Sequence, residues 1–324
     1  MMKILVSEDG PFLKYGFTEA LQNYGIDVRH TQLYKSINEG SMLPFIEEIK
    51  EYKPDLFLNP GTTIKKNFNK VIFCLNKLNV PYVYWAIDDP IEFFTYSIEN
   101  GKNAALLLTP AVECIPFYKK LGINVSFAPF ACNKRYHYKG KYNPKYDYDI
   151  IFIGNNYKYD QRTKGIYKIL NPLIERNYNI KVFGCNWFEE GYPYVLPDEK
   201  FYGGYCYYNE VPDACATAKI VLGIHSVTNS KTMMSMRTFE VLGCQGFYLS
   251  QYAKALEYNF TNGVHLVWSD DAETTLRLVD TYLKDAESRD KIAKLGQKRC
   301  YANYNYDNMV DRFVKELYKY KVVK

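Results

Sequence analysis

At 324 residues the chain exceeds what one hydrophobic core usually holds, so two domains are expected. Its 47% hydrophobic and 24% charged residues and net charge of +5 describe an ordinary globular protein. Lysines are scattered (Lys65-Lys66, Lys119-Lys120, residues 139–145), with none of the dense stripe a nucleic-acid partner would require, and no apolar run is long enough for a transmembrane helix.

Along the first half, short apolar runs alternate with helical periodicity. Residues 3–7 form a strand that Asp9-Gly10 breaks. Residues 12–24 then carry Phe17, Ala20, Leu21 and Tyr24 at helical spacing, closed by Gly25. Residues 27–30 predict a second strand, 42–52 a helix, 54–58 a third strand, and 68–78 a helix. A fourth strand, 81–87, ends in Asp88-Asp89-Pro90; a strand at 104–108, a helix at 111–121 and a strand at 125–128 follow. Such βα alternation predicts a parallel, doubly wound sheet, whose ligands bind beyond the carboxyl ends of the strands. The rim of that sheet comprises Glu8-Asp9-Gly10, His30, Asn59-Pro60-Gly61 and Asp88-Asp89.

Residues 132–148 lack apolar periodicity and are expected to be a linker. A second sheet begins at 149–154, with further strands at 180–183, 220–224, 247–249 and 264–268 and helices at 165–177, 213–218, 237–243 and 272–284. The tail, 307–320, places Met309, Val310, Phe313, Val314 and Leu317 on one face. The expected divisions are 1–140, 141–305 and a terminal helix, 306–324, packing toward the first domain. Eight cysteines without paired spacing, and no signal peptide at Met1, predict free thiols in a cytoplasmic protein. Thirty-two tyrosines against three tryptophans suit sugar faces or partner surfaces, and also follow from an AT-rich genome.

Five motifs occur in a recognisable order: Tyr84-Trp-Ala-Ile-Asp-Asp-Pro90, Pro116-Phe-Tyr-Lys-Lys-Leu-Gly122, Asp149-Ile-Ile-Phe-Ile-Gly154 followed by Arg162, Lys219-Ile-Val-Leu222, and Arg237-Thr-Phe-Glu-Val-Leu-Gly243. From about residue 80 onward the chain resembles the CgeB-like glycosyltransferases, named for a spore maturation protein. The resemblance implies a GT-B fold, two Rossmann-like domains facing a cleft with the donor held mainly by the second, and no metal requirement. It implies transfer of a sugar from a nucleotide donor, UDP-linked glucose or N-acetylglucosamine, to a protein or surface-glycan hydroxyl. The alternatives are a non-catalytic GT-B-shaped assembly protein and a UDP-sugar epimerase of the same fold. The oligomeric state is left open.

Glu240 sits among Phe239, Val241 and Leu242, where a carboxylate is costly unless paired; the two hydroxyls of a ribose are one such partner. It aligns with the second glutamate of the E-x7-E pattern of related retaining enzymes. The first would fall at Thr232, a departure that leaves the stereochemistry open. Gly154 and Asn155 end a strand where backbone amides can approach a diphosphate, or where an ordinary βα turn can form. Arg162 and Arg237 are candidates for the phosphates, or for surface charge and a structural pair respectively. Gly184 and Trp187, with residues 202–208, bracket the base or fill a hydrophobic seam. His225 and Ser230 lie on the loop that would cradle the diphosphate or donor sugar. For the base that serves the acceptor, Asp88, Asp89, His30 and Asp9 are the candidates, with Asp88-Asp89 preferred for its place beside Trp85; for one of the two, capping the next helix is an equal alternative.

Overall fold

The computed structural model describes residues 1–8, 10–31, 33–61, 64 and 67–324. Two compact units result: Met1–Pro129 together with Tyr306–Lys324, and Phe130–Asn305.

The first unit holds six parallel strands: β1 (Lys3–Val6), β2 (Asp27–His30), β3 (Leu56–Pro60), β4 (Tyr82–Trp85), β5 (Leu106–Thr109) and β6 (Val125–Phe127). Their order is β2-β1-β3-β4-β5-β6, so the chain reverses direction across the sheet between β1 and β3. Runs such as Leu106-Leu-Leu108 are apolar at every position because helices cover both faces. The Tyr306–Lys319 helix belongs to this unit and buries Met309, Val310, Phe313 and Leu317. Phe313 packs edge-on against Phe17 at 5.4 Å, and Phe17 against Trp85 at 5.3 Å.

The second unit holds β7 (Ile150–Ile153), β8 (Ile180–Phe183), β9 (Tyr202–Gly204), β10 (Ile220–Gly223), β11 (Tyr248–Gln251) and β12 (Val267–Ser269), all parallel in the order β12-β11-β10-β7-β8-β9. This is the doubly wound order with its switch point between β7 and β10, where ligands of such sheets bind. Its core runs from Phe152 and Ile166 through Leu222 and Leu249 to Val279 and Ile292.

Several features differ from the expectations, among them the following. Residues 202–204 form a sixth strand, paired to β8 through an irregular register. The Ala286–Asn303 helix has no counterpart among the expected elements, because its inward face is Ile292, Ala293, Gly296 and Cys300, mostly small residues that carry little apolar signal. Residues 132–148 are not a solvated linker: Cys132, His137 and Tyr146 are fully buried, and the Lys141 and Asn143 N–H groups donate to Asp213 and Thr217. Among the described residues, no helix is long and apolar enough to cross a membrane.

Candidate active site

The switch point of the second sheet is built around two glycines and one arginine. After β7, the Gly154 N–H donates to the Phe183 carbonyl at 2.8 Å and ties the ends of β7 and β8 together. Gly184 has φ +137°, and a Cβ there would lie 2.3 Å from the Gly154 oxygen, so only glycine fits. The Asn155 Oδ1 accepts the Cys185 N–H at 3.0 Å.

From the Asp160–Gly165 helix, Arg162 reaches back over these strand ends. Its Nε donates to the Asn155 carbonyl at 2.8 Å and its Nη1 to the Ile224 carbonyl, just beyond β10, at 3.2 Å. The guanidinium lies over the Tyr157 and Phe152 rings, 5.2 and 5.7 Å from their centroids. Only 5% of the residue is exposed, and no described carboxylate pairs with it. Burial lowers its pKa to about 10; Tyr157 and Tyr248 oppose that shift, and the positive charge of Arg237 adds to it. A buried cation held only by carbonyl oxygens and ring faces is well suited to receive an anion.

Arg237 opens the Met236–Gly243 helix, capped by the Ser235 side chain. Its Nη1 lies 2.7 Å from Glu240 Oε2, yet the two are not aligned as a hydrogen bond, and both atoms are buried without a hydrogen-bond partner among the described residues. Glu240, asked at the sequence level to find a partner, therefore has an internal counter-charge one turn upstream. Burial acts to lower the Arg237 pKa, but Glu240, with Cys206, Cys215 and Tyr208, outweighs it and the net shift is upward.

Other candidates turn out to be structural supports. Trp187 is 1% exposed, donates its indole N–H to the Gly154 carbonyl and packs edge-on against Phe152, so it fills the seam and offers no face to a base. His225 is fully buried: its Nδ1 accepts the Ser235 N–H at 3.1 Å, leaving Nε2 to donate to Ser250 Oγ at 2.9 Å. Burial and the nearby Arg162 lower its pKa to about 3, so it is a neutral post under the loop and makes no charged contact to phosphate. The Ser230 hydroxyl accepts the Thr232 and Met233 N–H groups and shapes the same loop.

In the first unit, Asp89 is fully buried and accepts hydrogen bonds from Thr109 Oγ1 (2.7 Å) and Tyr118 Oη (2.8 Å); burial pushes its pKa up. That corrects the picture of two equivalent rim carboxylates: Asp88 is half-buried and Asp89 is interior. Trp85 is also interior, its N–H bonded to the Ala128 carbonyl, and offers no open plane. His30 at the end of β2 is partly buried between the Glu8 carbonyl and Thr18. Asp9 lies outside the described residues.

Within residues 202–208, read as bracketing the base, an aromatic ring is open. Tyr205 is exposed and stacks on Tyr207 with centroids 6.4 Å apart. His137 lies in the segment first read as linker.

Two parallel six-stranded sheets, each with a topological switch point, are the frame of a GT-B protein. Residues 162–315 match the family model described as Glycosyl transferase-like. Among solved structures, HepE of Anabaena bound to UDP and glucose is 13% identical with a TM-score of 0.64, over 98% of this chain and 100% of that one. Sucrose-phosphate synthase from Thermosynechococcus elongatus is 12% identical with a TM-score of 0.67, over 98% of each chain. T4 phage β-glucosyltransferase is 14% identical with a TM-score of 0.64, over 97% of this chain and 99% of that one. No curated protein matches the chain by sequence. The two-sheet fold is that of the GT-B proteins, and the match over residues 162–315 supports a glycosyltransferase.

Proposed function

We propose that the protein transfers glucose or N-acetylglucosamine from a UDP-linked donor to a hydroxyl on a protein or surface glycan, and that it is CgeB-like within its class. The observation that carries this reading is Arg162, a buried guanidinium at the switch point between β7 and β10 without a carboxylate partner among the described residues. The donor diphosphate supplies the missing charge, with Gly154 and Gly184 giving it close access to the backbone. Arg237 assists at the leaving phosphate, and Glu240 receives the ribose hydroxyls. The exposed Tyr205 offers the base an aromatic face. UDP and UDP-glucose complexes of HepE and of β-glucosyltransferase support this donor class.

In the transfer step, charge grows on the diphosphate as the sugar–oxygen bond breaks, and positive groups already in place stabilise it without reorganising. Asp88, at the end of β4, accepts the proton of the acceptor hydroxyl, while Asp89 beneath it is held by Thr109 and Tyr118. Thermal melts with UDP, GDP and dTDP test the donor assignment: a ligand at a hundred times its Kd stabilises by about 2.7 kcal/mol. A shift with UDP alone supports it, and no shift with any of the three refutes it. Release of an altered free sugar without any acceptor would identify an epimerase instead.

A further inference from the structure

The donor-site reading leaves one buried histidine unused. His137 is fully buried, and its Nδ1 accepts the Asn133 N–H at 2.9 Å, so the proton of the neutral ring sits on Nε2. That N–H is buried and has no hydrogen-bond partner among the described residues. An orphaned buried donor is rare enough to need a reason.

The ring is firmly placed. The Tyr301 hydroxyl donates to the His137 carbonyl at 2.6 Å, and Tyr208 packs edge-on with centroids 5.2 Å apart. A Cβ on Gly243 would come within 2.9 Å of the His137 Cβ, so glycine there lets the segment press against the Met236–Gly243 helix. Gly243 stands one turn beyond Glu240 on the same helical face. Glu240 Oε2 and Arg237 Nη1 are themselves buried without a hydrogen bond. The charges that bear on the His137 ring are those two, and burial, which dominates, keeps the ring neutral with a pKa of about 4. The orphaned His137 donor and the Arg237–Glu240 ion pair thus bear on the same helix.

We infer that His137 is a positioning residue of the donor site: when the donor binds, its Nε2–H, unpartnered in this structure, meets the Glu240 carboxylate and fixes the rotamer in which Glu240 meets the ribose hydroxyls, while Arg237 balances the charge. This rests on the reading of Glu240 as the ribose ligand. Neutrality matters to the role, because a fixed tautomer offers one donor in one direction and adds no cation beside Arg237. The histidine itself touches no substrate.

The test compares calorimetric affinities for UDP and 2′,3′-dideoxy-UDP in the wild type, His137→Phe and His137→Gln, with melting curves to confirm folding. The wild type should prefer UDP by about tenfold or more, the value of a charge-assisted contact to the ribose hydroxyls. His137→Phe should bring that preference below about threefold by weakening UDP alone, and His137→Gln, which keeps an N–H donor, should retain most of it. If the Phe variant does not fold, His137→Leu carries the same expectation. A folded variant without a donor that keeps the full preference overturns the inference, as does an equal loss for both ligands, which marks mere packing. A wild type with no preference refutes the ribose reading of Glu240 itself.

Discussion

Replacing Arg162 by methionine separates anion binding from folding. Methionine keeps the aliphatic stem against Phe152 and Tyr157 and removes the charge. Two bonds to carbonyls are lost, at 2.8 and 3.2 Å, each worth about 1.5–3 kcal/mol for a charged donor. Against that, the cost of burying the cation disappears. A guanidinium whose pKa falls to about 10 carries roughly 3 kcal/mol of unfavourable burial, at about 1.4 kcal/mol per tenfold change in proton affinity. The two partly offset, so the variant should fold with stability within about 3 kcal/mol of wild type. Ligand binding has no such compensation. Loss of one or two charge-assisted contacts to the diphosphate should weaken UDP about 10- to 100-fold. Uridine, which lacks phosphates, should bind the variant as it binds the wild type. Isothermal calorimetry with both ligands decides the matter: an equal loss for uridine and UDP, or undiminished UDP affinity in a folded variant, refutes the assignment of Arg162 to the diphosphate.

Other outcomes follow from the same geometry. His137 and His225 have folded pKa values of about 4 and 3, below the ordinary imidazole value, so the unfolded chain takes up their protons first as pH falls. Their contribution is complete above about pH 6.5 and drains toward acid by up to about 1.4 kcal/mol per histidine per pH unit; a urea midpoint that stays constant from pH 6.5 to 5 would contradict this. Glu240→Gln leaves the partly buried Arg237 without its counter-charge, and should cost up to about 3 kcal/mol in chemical denaturation, most of it recovered when Arg237→Met is added. Asp88→Asn should keep UDP affinity and lose about a hundredfold or more in transfer rate, whereas Asp89→Asn should change the rate far less; the reverse ranking would reassign the base. Gly184→Ala must adopt φ +137° with a methyl 2.3 Å from the Gly154 oxygen, and should destabilise the second unit by about 2 kcal/mol or more in thermal unfolding.

Much of the frame was legible because parallel strands buried on both faces announce themselves as short apolar runs such as Ile150-Ile-Phe-Ile153 and Ile220-Val-Leu222. Glycines placed at strand ends and Arg162 shortly after β7 pointed to the switch point. The roles of individual polar residues were less accessible, because sequence shows a side chain but not what it faces. Trp187 and His225 sit at positions that suit a ligand equally well, and only their bonds to Gly154, Ser235 and Ser250 show that they serve the scaffold. Glu240 was recognised as anomalous, but its pairing with Arg237 depends on the helix starting at Met236. His137 was hidden altogether, since a segment without periodicity gives no sign that it is buried.

The return of the Tyr306–Lys319 helix to the first unit also sets an order of events during synthesis. The second unit is an insertion within the first, and Phe17 and Phe313, in contact in the finished core, stand almost the whole chain apart. A nascent chain that has emerged only as far as Asn305 holds every residue of the second unit, while the first still lacks its closing helix. The unit translated first is thus completed last, and until then its helix-docking face around Phe17 is open to chaperones or to a neighbouring chain.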